Sequence, residues 1–391
     1  MARDRPLDLA PASVRDHREL ARKRLPRQLF DYIDGGAYEE STMRANEGDL
    51  GALQLRQRVL RDVSDLNLRT TVLGQDLSMP VILAPVGLAG MFAQRAEVQA
   101  AKAAEAARVA FCESTVSIAG IEEVRAATVA PFWFQLYVMR DRSYAEGLMA
   151  RATAAGCPVL VLTVDLAVVG ARYRDTRNAM VGDVSALAKA RRGLDLVSHP
   201  QWLRDVAIGG KPHTFGNLED AVPGGRSPAD FREWVDAQFD PSVTWDDLAW
   251  VREHWGGKLV LKGVLDADDA RIAADHGVDG VVVSNHGGRQ LDDTPSTVQA
   301  LGPIVDAVGD QLEVLVDGGV RSGLDVVKLL SLGAKACLVG RAWAWAVAGG
   351  GQAGVEHVLR TIREEMKVAM ALTGAPSIAD LGPEVLVSPP T

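Results

Sequence analysis

From Met79 onward the chain repeats one unit: a short apolar run that ends in Gly or a polar residue, a helical stretch, then another run. The runs are Pro80–Pro85, Val109–Ser114, Phe132–Tyr137, Val159–Asp165, Leu259–Gly263, Gly280–Ser284, Glu313–Asp317 and Ala336–Gly340. They are rich in Val, Ile, Leu and Phe and barely alternate, as strands covered on both faces must be. Amphipathic segments lie between them, among them Glu97–Ala107, Ser143–Ala155, Asp266–His276 and Gly323–Leu332. Gly156, Pro158, Gly257, Gly277 and Gly333 stand just ahead of strands, where a helix has to stop. Eight strand–helix units in series predict an α/β chain folded as a (β/α)8 TIM barrel. The alternative is an open doubly wound sheet. The barrel is favoured because polar residues gather after nearly every run, and a barrel delivers all those strand ends to one mouth.

Two regions stand outside the repeat. Residues 1–78 read as short helices, with Pro26 opening Arg27–Ile33 and a break at Gly35-Gly36, and are expected to cap one end of the barrel. Residues 79–391 are the barrel, interrupted after the fourth run by an insert over 175–243 that is far longer than a usual connection. The insert is polar and rich in Gly and Pro, with a basic cluster at Lys189, Arg191 and Arg192 and an aromatic at Trp202. Such a loop is a lid, a docking surface, or plain solvated chain.

Composition narrows the function. With 42 Lys+Arg against 51 Asp+Glu the formal charge is −9, which argues against nucleic acid as a whole-surface partner. Cys112, Cys157 and Cys337 are sparse and widely spaced, which fits a reducing cytosol and neither a disulfide scaffold nor a metal module. The start, Met1-Ala2-Arg3-Asp4-Arg5-Pro6, has no secretory signal, and Met79–Ala93 is too short and too rich in Pro and Gly to span a bilayer. A cytoplasmic protein is expected, with peripheral contact to a membrane surface left open.

Asp317-Gly318-Gly319-Val320-Arg321-Ser322-Gly323 follows the seventh run, and Gly340-Arg341 follows the eighth. Glycines let backbone approach an anion, and a following helix aims free N–H groups at it. A lone DGG reads as a tight turn; paired with Gly-Arg at the next strand end it points to a phosphorylated ligand, because barrels hold phosphate at these two loops. Ser284-Asn285-His286-Gly287-Gly288-Arg289-Gln290 follows the sixth run. A lone His is usually structural, but His286 stands at a strand end on the functional face, beside an Arg, where a proton acceptor belongs. Arg289 offers a planar fork for a carboxylate. Asp165 ends the fourth run and is either a helix cap or the partner of an imidazolium. Arg172 is a second carboxylate clamp or one half of a surface pair with Asp175. Lys262 lies inside Leu259-Val260-Leu261-Lys262-Gly263, where an unpaired charge would be very costly, and suits an anion that forms during turnover. Gln135 and Tyr137 end the third run and can hydrogen-bond a ring or a substrate oxygen. Tyr32 alone reads as a packed aromatic.

Taken together these segments resemble the FMN-dependent L-2-hydroxy-acid dehydrogenase and oxidase family over nearly the whole chain, from Leu25-Pro26 to about Leu386. That family includes glycolate oxidase, mandelate dehydrogenase and flavocytochrome b2, and the bacterial flavin L-lactate dehydrogenases are the branch most similar to this sequence. Ser284-Asn285-His286-Gly287-Gly288-Arg289-Gln290-Leu291-Asp292 is the most specific motif. Asp34-Gly35-Gly36-Ala37-Tyr38, Ala84-Pro85-Val86-Gly87-Leu88, Val98–Ala104 and Glu365–Met370 support it. The resemblance implies FMN at the barrel mouth, contacted by Pro85, Val86, Gly87, Ser114, Gln135, Thr163, Lys262, Ser284, Asp317, Gly319, Arg321, Gly340 and Arg341, and no metal. It implies Tyr32, Tyr137, Asp165, Arg172, His286 and Arg289 as the substrate and catalytic positions. There are departures: Ala167 where the family often has Pro, and Val116 where glycolate oxidase has Trp. With Val169, the small residue at 116 implies room for more than glycolate.

The resemblance thus implies oxidation of an (S)-2-hydroxy acid, with L-lactate to pyruvate the first choice. In that reaction Arg289 and Arg172 hold the carboxylate, His286 removes a proton, Asp165 steadies the imidazolium, Tyr32 and Tyr137 orient oxygens, and Lys262 offsets the charge of the reduced ring. Gly87, where glycolate oxidase carries Ala, together with the insert favours a quinone or cytochrome as acceptor over oxygen. The expected setting is peripheral on the inner face of the cell membrane, with Lys189, Arg191, Arg192 and Trp202 helping to dock the insert, and the expected assembly is a homotetramer. Two other readings compete. A phosphate-binding isomerase or lyase barrel explains the glycine loops but leaves the His, Asp and Arg set idle. A non-catalytic flavin-binding protein would hold FMN without reducing it.

Overall fold

The computed structural model describes residues 10–178, 180, 185–221 and 237–387, so the ends of the chain and parts of the insert, at 179, 181–184 and 222–236, lie outside the described residues. Three helices come first. In α1 (Val14–Arg24) the Ser13 side chain accepts from the Asp16 N–H while Asp16 reaches back to the backbone of Ser13, and Arg22, Lys23 and Arg24 face the negative helix end. In α2 (Arg27–Asp34) Pro26 occupies the position before the first turn. The third helix is α3 (Ser41–Ala52).

An antiparallel hairpin follows, β1 (Thr70–Val72) and β2 (Gln75–Leu77). This corrects the all-helical reading of residues 1–78. Its turn residues, Leu73 and Gly74, both take positive φ, which matches the right-handed twist of a tight hairpin. Three-residue strands are too short to show a period in sequence, which is why the segment was not legible as β.

The eight predicted runs all form strands: β3 (Val81–Leu83), β4 (Ala110–Ser114), β5 (Trp133–Tyr137), β6 (Val159–Thr163), β7 (Lys258–Val264), β8 (Gly280–Val283), β9 (Glu313–Val316) and β10 (Ala336–Val339). They pair in parallel in chain order, and β10 closes on β3. The closed barrel excludes the open sheet. Ile82, Ala110, Cys112, Trp133, Val161, Val260, Val282, Leu315 and Leu338 fill its interior together with Val72, Leu73 and Leu77 of the hairpin. Trp133 Nε1 donates to Gln75 Oε1 at 2.8 Å, and Glu313 Oε2 accepts from the Leu73 N–H at 2.9 Å. Both anchors stand at strand starts, so the hairpin plugs the end opposite the mouth.

The helices of the N-terminal region take the other surfaces. Helix α1 lies along the last long helix (Arg341–Thr373), and α3 packs on Thr297–Val308 and Gly323–Ser331. Asp292, in the loop after β8, accepts the Ser41 and Thr42 N–H groups at 3.1 and 2.8 Å and so fastens the start of α3 to the mouth. Burial alone would raise the Asp292 carboxyl, but these donors outweigh it and bring it down to about 2.

The insert is neither wholly docked nor wholly solvated. Trp202, Val206, Phe215 and Leu218 are buried, and Asn217 Oδ1 accepts from the Ile121 N–H at 2.9 Å. Asp195 accepts from the Arg27 N–H, and Asp205 pairs with Arg24 at 3.0 Å. The helix Ala186–Val197 has no buried residue: Leu187, Leu194 and Val197 share one face, exposed by 63%, 71% and 68%. Among the described residues no helix is long and apolar enough to cross a membrane.

Candidate active site

Parallel register sets the floor of the mouth. Ser114 is the partner of Gln135, Tyr137 of Thr163, and Thr163 of Lys262, so residues far apart in sequence fall into neighbouring rows at the strand ends. Lys262 is buried and paired: its Nζ lies 3.1 Å from Asp317 Oδ2 and donates to Ser284 Oγ at 3.0 Å. Burial pulls the ammonium down, but the charges of Asp317 and Asp165 prevail and hold it above the ordinary lysine value. Lys262 therefore stays charged inside the barrel.

The β7 strand bulges at Gly263, where the register with β8 shifts. Gly263 has φ +111, and a Cβ there would lie 2.5 Å from the Asp165 Cβ. Only glycine lets the Asp165 carboxylate come this close to β7. Asp165 Oδ1 then meets His286 Nδ1 at 2.9 Å. Burial pushes the Asp165 carboxyl up, but the charge and hydrogen bond of His286, with help from Lys262, hold it below the usual carboxylate range. An ionised Asp165 fixes the proton on Nδ1 and leaves Nε2 as the basic nitrogen. His286 itself has φ 56, and its N–H donates to Ser284 Oγ at 3.0 Å.

Arg172 and Arg289 approach Tyr32, with guanidinium carbons 5.3 and 5.0 Å from the ring centroid. Arg289 Nη1 also donates to the carbonyls of Tyr32 and Gly35 at 2.7 and 2.8 Å. Burial, then the charge of Arg172, pushes the Arg289 guanidinium down. Two cations sharing one ring in a buried setting form a ready receptor for a carboxylate. The predicted Arg172–Asp175 pair also exists, at 3.3 Å, but both side chains are largely buried, so it is no surface bridge. Tyr32 is thus more than a packed aromatic: both guanidinium groups gather on its ring. The Tyr137 ring meets Phe239 edge-on at 5.5 Å. Its hydroxyl is pushed well above the ordinary tyrosine value by burial and then by Asp165, so it stays protonated as a donor.

On the other side, Arg341 donates to the carbonyls of Gly287 and Gly35 at 2.8 and 2.7 Å, and Arg321 pairs with Glu47 at 3.0 Å. Burial, followed by the charges of Arg289 and Arg321, drives the Arg341 guanidinium down to about 9. The glycines after β9 have a second duty. A Cβ on Gly319 (φ +79) would lie 2.4 Å from the Asn46 carbonyl oxygen, so this glycine also lets α3 pack against the loop.

Several buried atoms of this mouth have no partner among the described residues: Gln135 Nε2, Asp317 Oδ1, Arg321 Nε and Arg341 Nε. Buried polar atoms of this kind need a ligand or water. Amide donors and carboxyl acceptors suit the edge of a flavin ring, and a crowd of guanidinium groups suits a phosphate, so the residues fit FMN. Pro85, Val86 and Gly87 border the same mouth from the end of β3 and are partly exposed. Gly87 touches Val116: a Cβ at 87 would lie 2.6 Å from Val116 Cγ2, so the two departures from glycolate oxidase are one packing unit.

Some parts of the site escaped the sequence reading. Asn46 and Asn285 exchange side-chain hydrogen bonds at 2.8 and 2.9 Å, and Asn285 Oδ1 also accepts from the Gly288 N–H. Gln290 donates to the Asp165 and Val168 carbonyls at 2.9 and 3.1 Å. Gln290 stands inside the motif, so a signal existed; for Asn46 and Phe239, brought in from α3 and the insert, there was none.

A barrel mouth that sets buried arginines beside a His–Asp pair and two guanidinium groups on one tyrosine suits a flavin-type oxidoreductase. The chain belongs to the FMN-dependent dehydrogenase family, whose pattern it matches over residues 21–388. It is 56% identical to an L-lactate dehydrogenase of Caulobacter vibrioides over 375 residues, 96% of this chain and 97% of the relative. A Chromohalobacter salexigens L-lactate dehydrogenase is 52% identical, covering 95% of this chain and 94% of its own. The crystal structure of the monotopic membrane protein (S)-mandelate dehydrogenase superposes with a TM-score of 0.91 at 36% identity, over 97% of this chain and 100% of the other. A mandelate oxidase superposes with a TM-score of 0.81 at 35% identity, covering 97% and 98%. The protein is an FMN-dependent enzyme, which sets aside both the non-redox barrel and the non-catalytic flavin binder.

Proposed function

We propose that the protein oxidises L-lactate to pyruvate. The observation that carries the reading is that the same barrel mouth holds the His286–Asp165 pair and two guanidinium groups gathered on Tyr32. Arg172 and Arg289 hold the substrate carboxylate. Tyr137, kept protonated, donates to a substrate oxygen. His286 Nε2 takes a proton from the substrate, and Asp165 stabilises the imidazolium that forms on Nδ1. Lys262 keeps a fixed positive charge on the floor. FMN, when bound by Ser114, Gln135, Thr163, Lys262, Ser284, Asp317, Gly319, Arg321, Gly340 and Arg341, supplies the acceptor for the two electrons that leave the substrate carbon. L-Lactate is favoured over a larger acid by the names of relatives at 52–56% identity. Anaerobic addition of L-lactate to the yellow protein should bleach the flavin absorbance faster than glycolate or (S)-mandelate does. A faster rate with (S)-mandelate would move the assignment to the aryl acid, and no bleaching with any of the three would remove the reading.

The acceptor proposed is a quinone or a cytochrome, reached at the inner face of the membrane by a peripherally bound homotetramer, the assembly being open to light scattering. The support is Gly87 and the apolar face of Ala186–Val197, whose same helix carries Lys189, Arg191 and Arg192. Trp202 plays no part in docking: it is buried, with Nε1 donating to the Met91 carbonyl at 2.9 Å. The exposed Leu187, Leu194, Val197 and Ile208 take its place. Flotation with anionic vesicles should carry the protein upward, and Leu194→Glu should leave most of it behind. No flotation of the parent protein would end the membrane proposal, and equal flotation of the two would remove this helix face from it.

A further inference from the structure

Arg172 and Tyr32 come from distant stretches of chain, and their separation decides how a carboxylate is gripped. Arg172 precedes the short helix Tyr173–Arg177, at the root of the insert, whereas Tyr32 is on α2. Two residues beyond Arg172 stands Arg174. Its Nη1 lies 2.9 Å from Asp34 Oδ2 and 3.6 Å from Asp31 Oδ1, and its Nη2 lies 2.6 Å from Glu40 Oε2. Asp34 is buried and is held from its other side by Arg18 Nε and Nη2 at 2.6 and 2.8 Å. Two further bonds join the same segments: Asn178 Nδ2 donates to Asp31 Oδ2 at 2.8 Å, and the Tyr38 N–H donates to the Ala171 carbonyl at 2.7 Å.

The stretch that Arg174 grips faces the site on its other side. The Gly35 carbonyl accepts from both Arg289 and Arg341, at 2.8 and 2.7 Å, and the Tyr32 carbonyl accepts from Arg289 at 2.7 Å. The Ala37 N–H donates to the Gly288 carbonyl at 2.8 Å, two residues past His286. Residues 31–40 are thus a hub that touches both substrate clamps and the loop of the base. Arg174 is half-buried, and without it Asp34 keeps Arg18 but the largely buried Glu40 loses the cation it pairs with, which costs more than breaking an exposed pair. Arg174 is the only one of these contacts that is both charged and forked between two acids of the hub. Lysine cannot reproduce that bridge, since its single ammonium carries no planar pair of nitrogens.

We propose that Arg174 is a positioning residue for substrate binding. By bridging Asp34 and Glu40 to the segment that carries Arg172, it sets the spacing between Arg172 and the Tyr32–Arg289 pair. The inference rests on the reading that Arg172 and Arg289 hold the substrate carboxylate.

The test uses the FMN-loaded protein. Arg174→Met should raise the KM for L-lactate about tenfold or more while kcat changes by less than about threefold, since an ångström of misplacement is enough for such a loss. Its Kd for pyruvate, read from the perturbation of flavin absorbance, should rise by the same factor, and Arg174→Lys should fall between the two. In an Arg172→Met background the effect of Arg174→Met should shrink to within about twofold, because coupled residues are not additive. If Arg174→Met fails to fold, Glu40→Gln, which removes one side of the fork, should still raise KM about threefold by the same logic. Unchanged KM and pyruvate binding in Arg174→Met, or in Glu40→Gln where it stands in, overturns the inference, as does a loss confined to kcat. If Arg172→Met raises KM and Arg174→Met does not, the positioning role alone is lost. If Arg172→Met itself leaves KM unchanged, the carboxylate reading falls and takes this role with it.

Discussion

His286→Ala should slow lactate-driven flavin reduction by about four orders of magnitude while the purified protein remains yellow. The reason is that, among the described residues of the mouth, the other titratable groups are not charged or free to accept the proton. Lys262 is held positive by Asp317 and Asp165, and Tyr137 is kept protonated by burial. Asp165 is committed to His286 Nδ1 at 2.9 Å. FMN should stay bound because its expected contacts, from Ser114 to Arg341, do not run through the imidazole. The fold should survive as well, although position 286 takes φ 56, a conformation alanine tolerates poorly. His286→Asn is the control for that strain, since Asn enters the left-handed region readily. Both variants should show the same loss in anaerobic stopped-flow absorbance. Flavin reduction within tenfold of the parent rate in either one would remove His286 from its role.

Asp165→Asn should cost about 10²- to 10⁴-fold in kcat with little change in KM for L-lactate. The carboxylate holds the proton on Nδ1. An amide can offer its N–H₂ to that nitrogen instead, which turns the imidazole into the tautomer with its proton on Nε2 and unable to accept. The substituted side chain also withdraws the negative charge that stabilises the imidazolium. Arg172 and Arg289 are untouched, so ground-state grip on the carboxylate is expected to persist. Because the folded-state carboxyl lies below its ordinary range, Asp165 is ionised throughout neutral pH, and the loss should be level across that range. A loss carried mainly by KM, or one that vanishes at higher pH, would show that Asp165 serves binding and not the base.

Much of the barrel could be read from the chain because its causes are local. The eight runs are mostly apolar on both faces, and a glycine or proline stands ahead of β6, β7, β8 and β10 to stop the preceding helix, so the strands were visible one by one. The motif at 284–290 was visible for a similar reason: it packs a base, a clamp and the glycines of a tight loop into seven consecutive residues. The hairpin at 70–77 was hidden because strands of three residues carry no period. Trp202 was misjudged because a lone aromatic in a polar insert gives no sign of whether its partner is lipid or, as here, the Met91 carbonyl.

The residue types of the site, and the strand end at which each stands, were thus determined by the sequence itself, since a short segment contains all the information that places them. Which of these groups meet was decided only by the tertiary structure. Barrel closure and parallel register bring Asp165 to His286 across 121 residues, and the bulge at Gly263 clears the space for that approach. The hub at residues 31–40, held by Asp34 and Arg174, brings Tyr32 beside two guanidinium groups. The physical reason is that distances between segments far apart in sequence depend on how the whole core packs, and no local pattern encodes them.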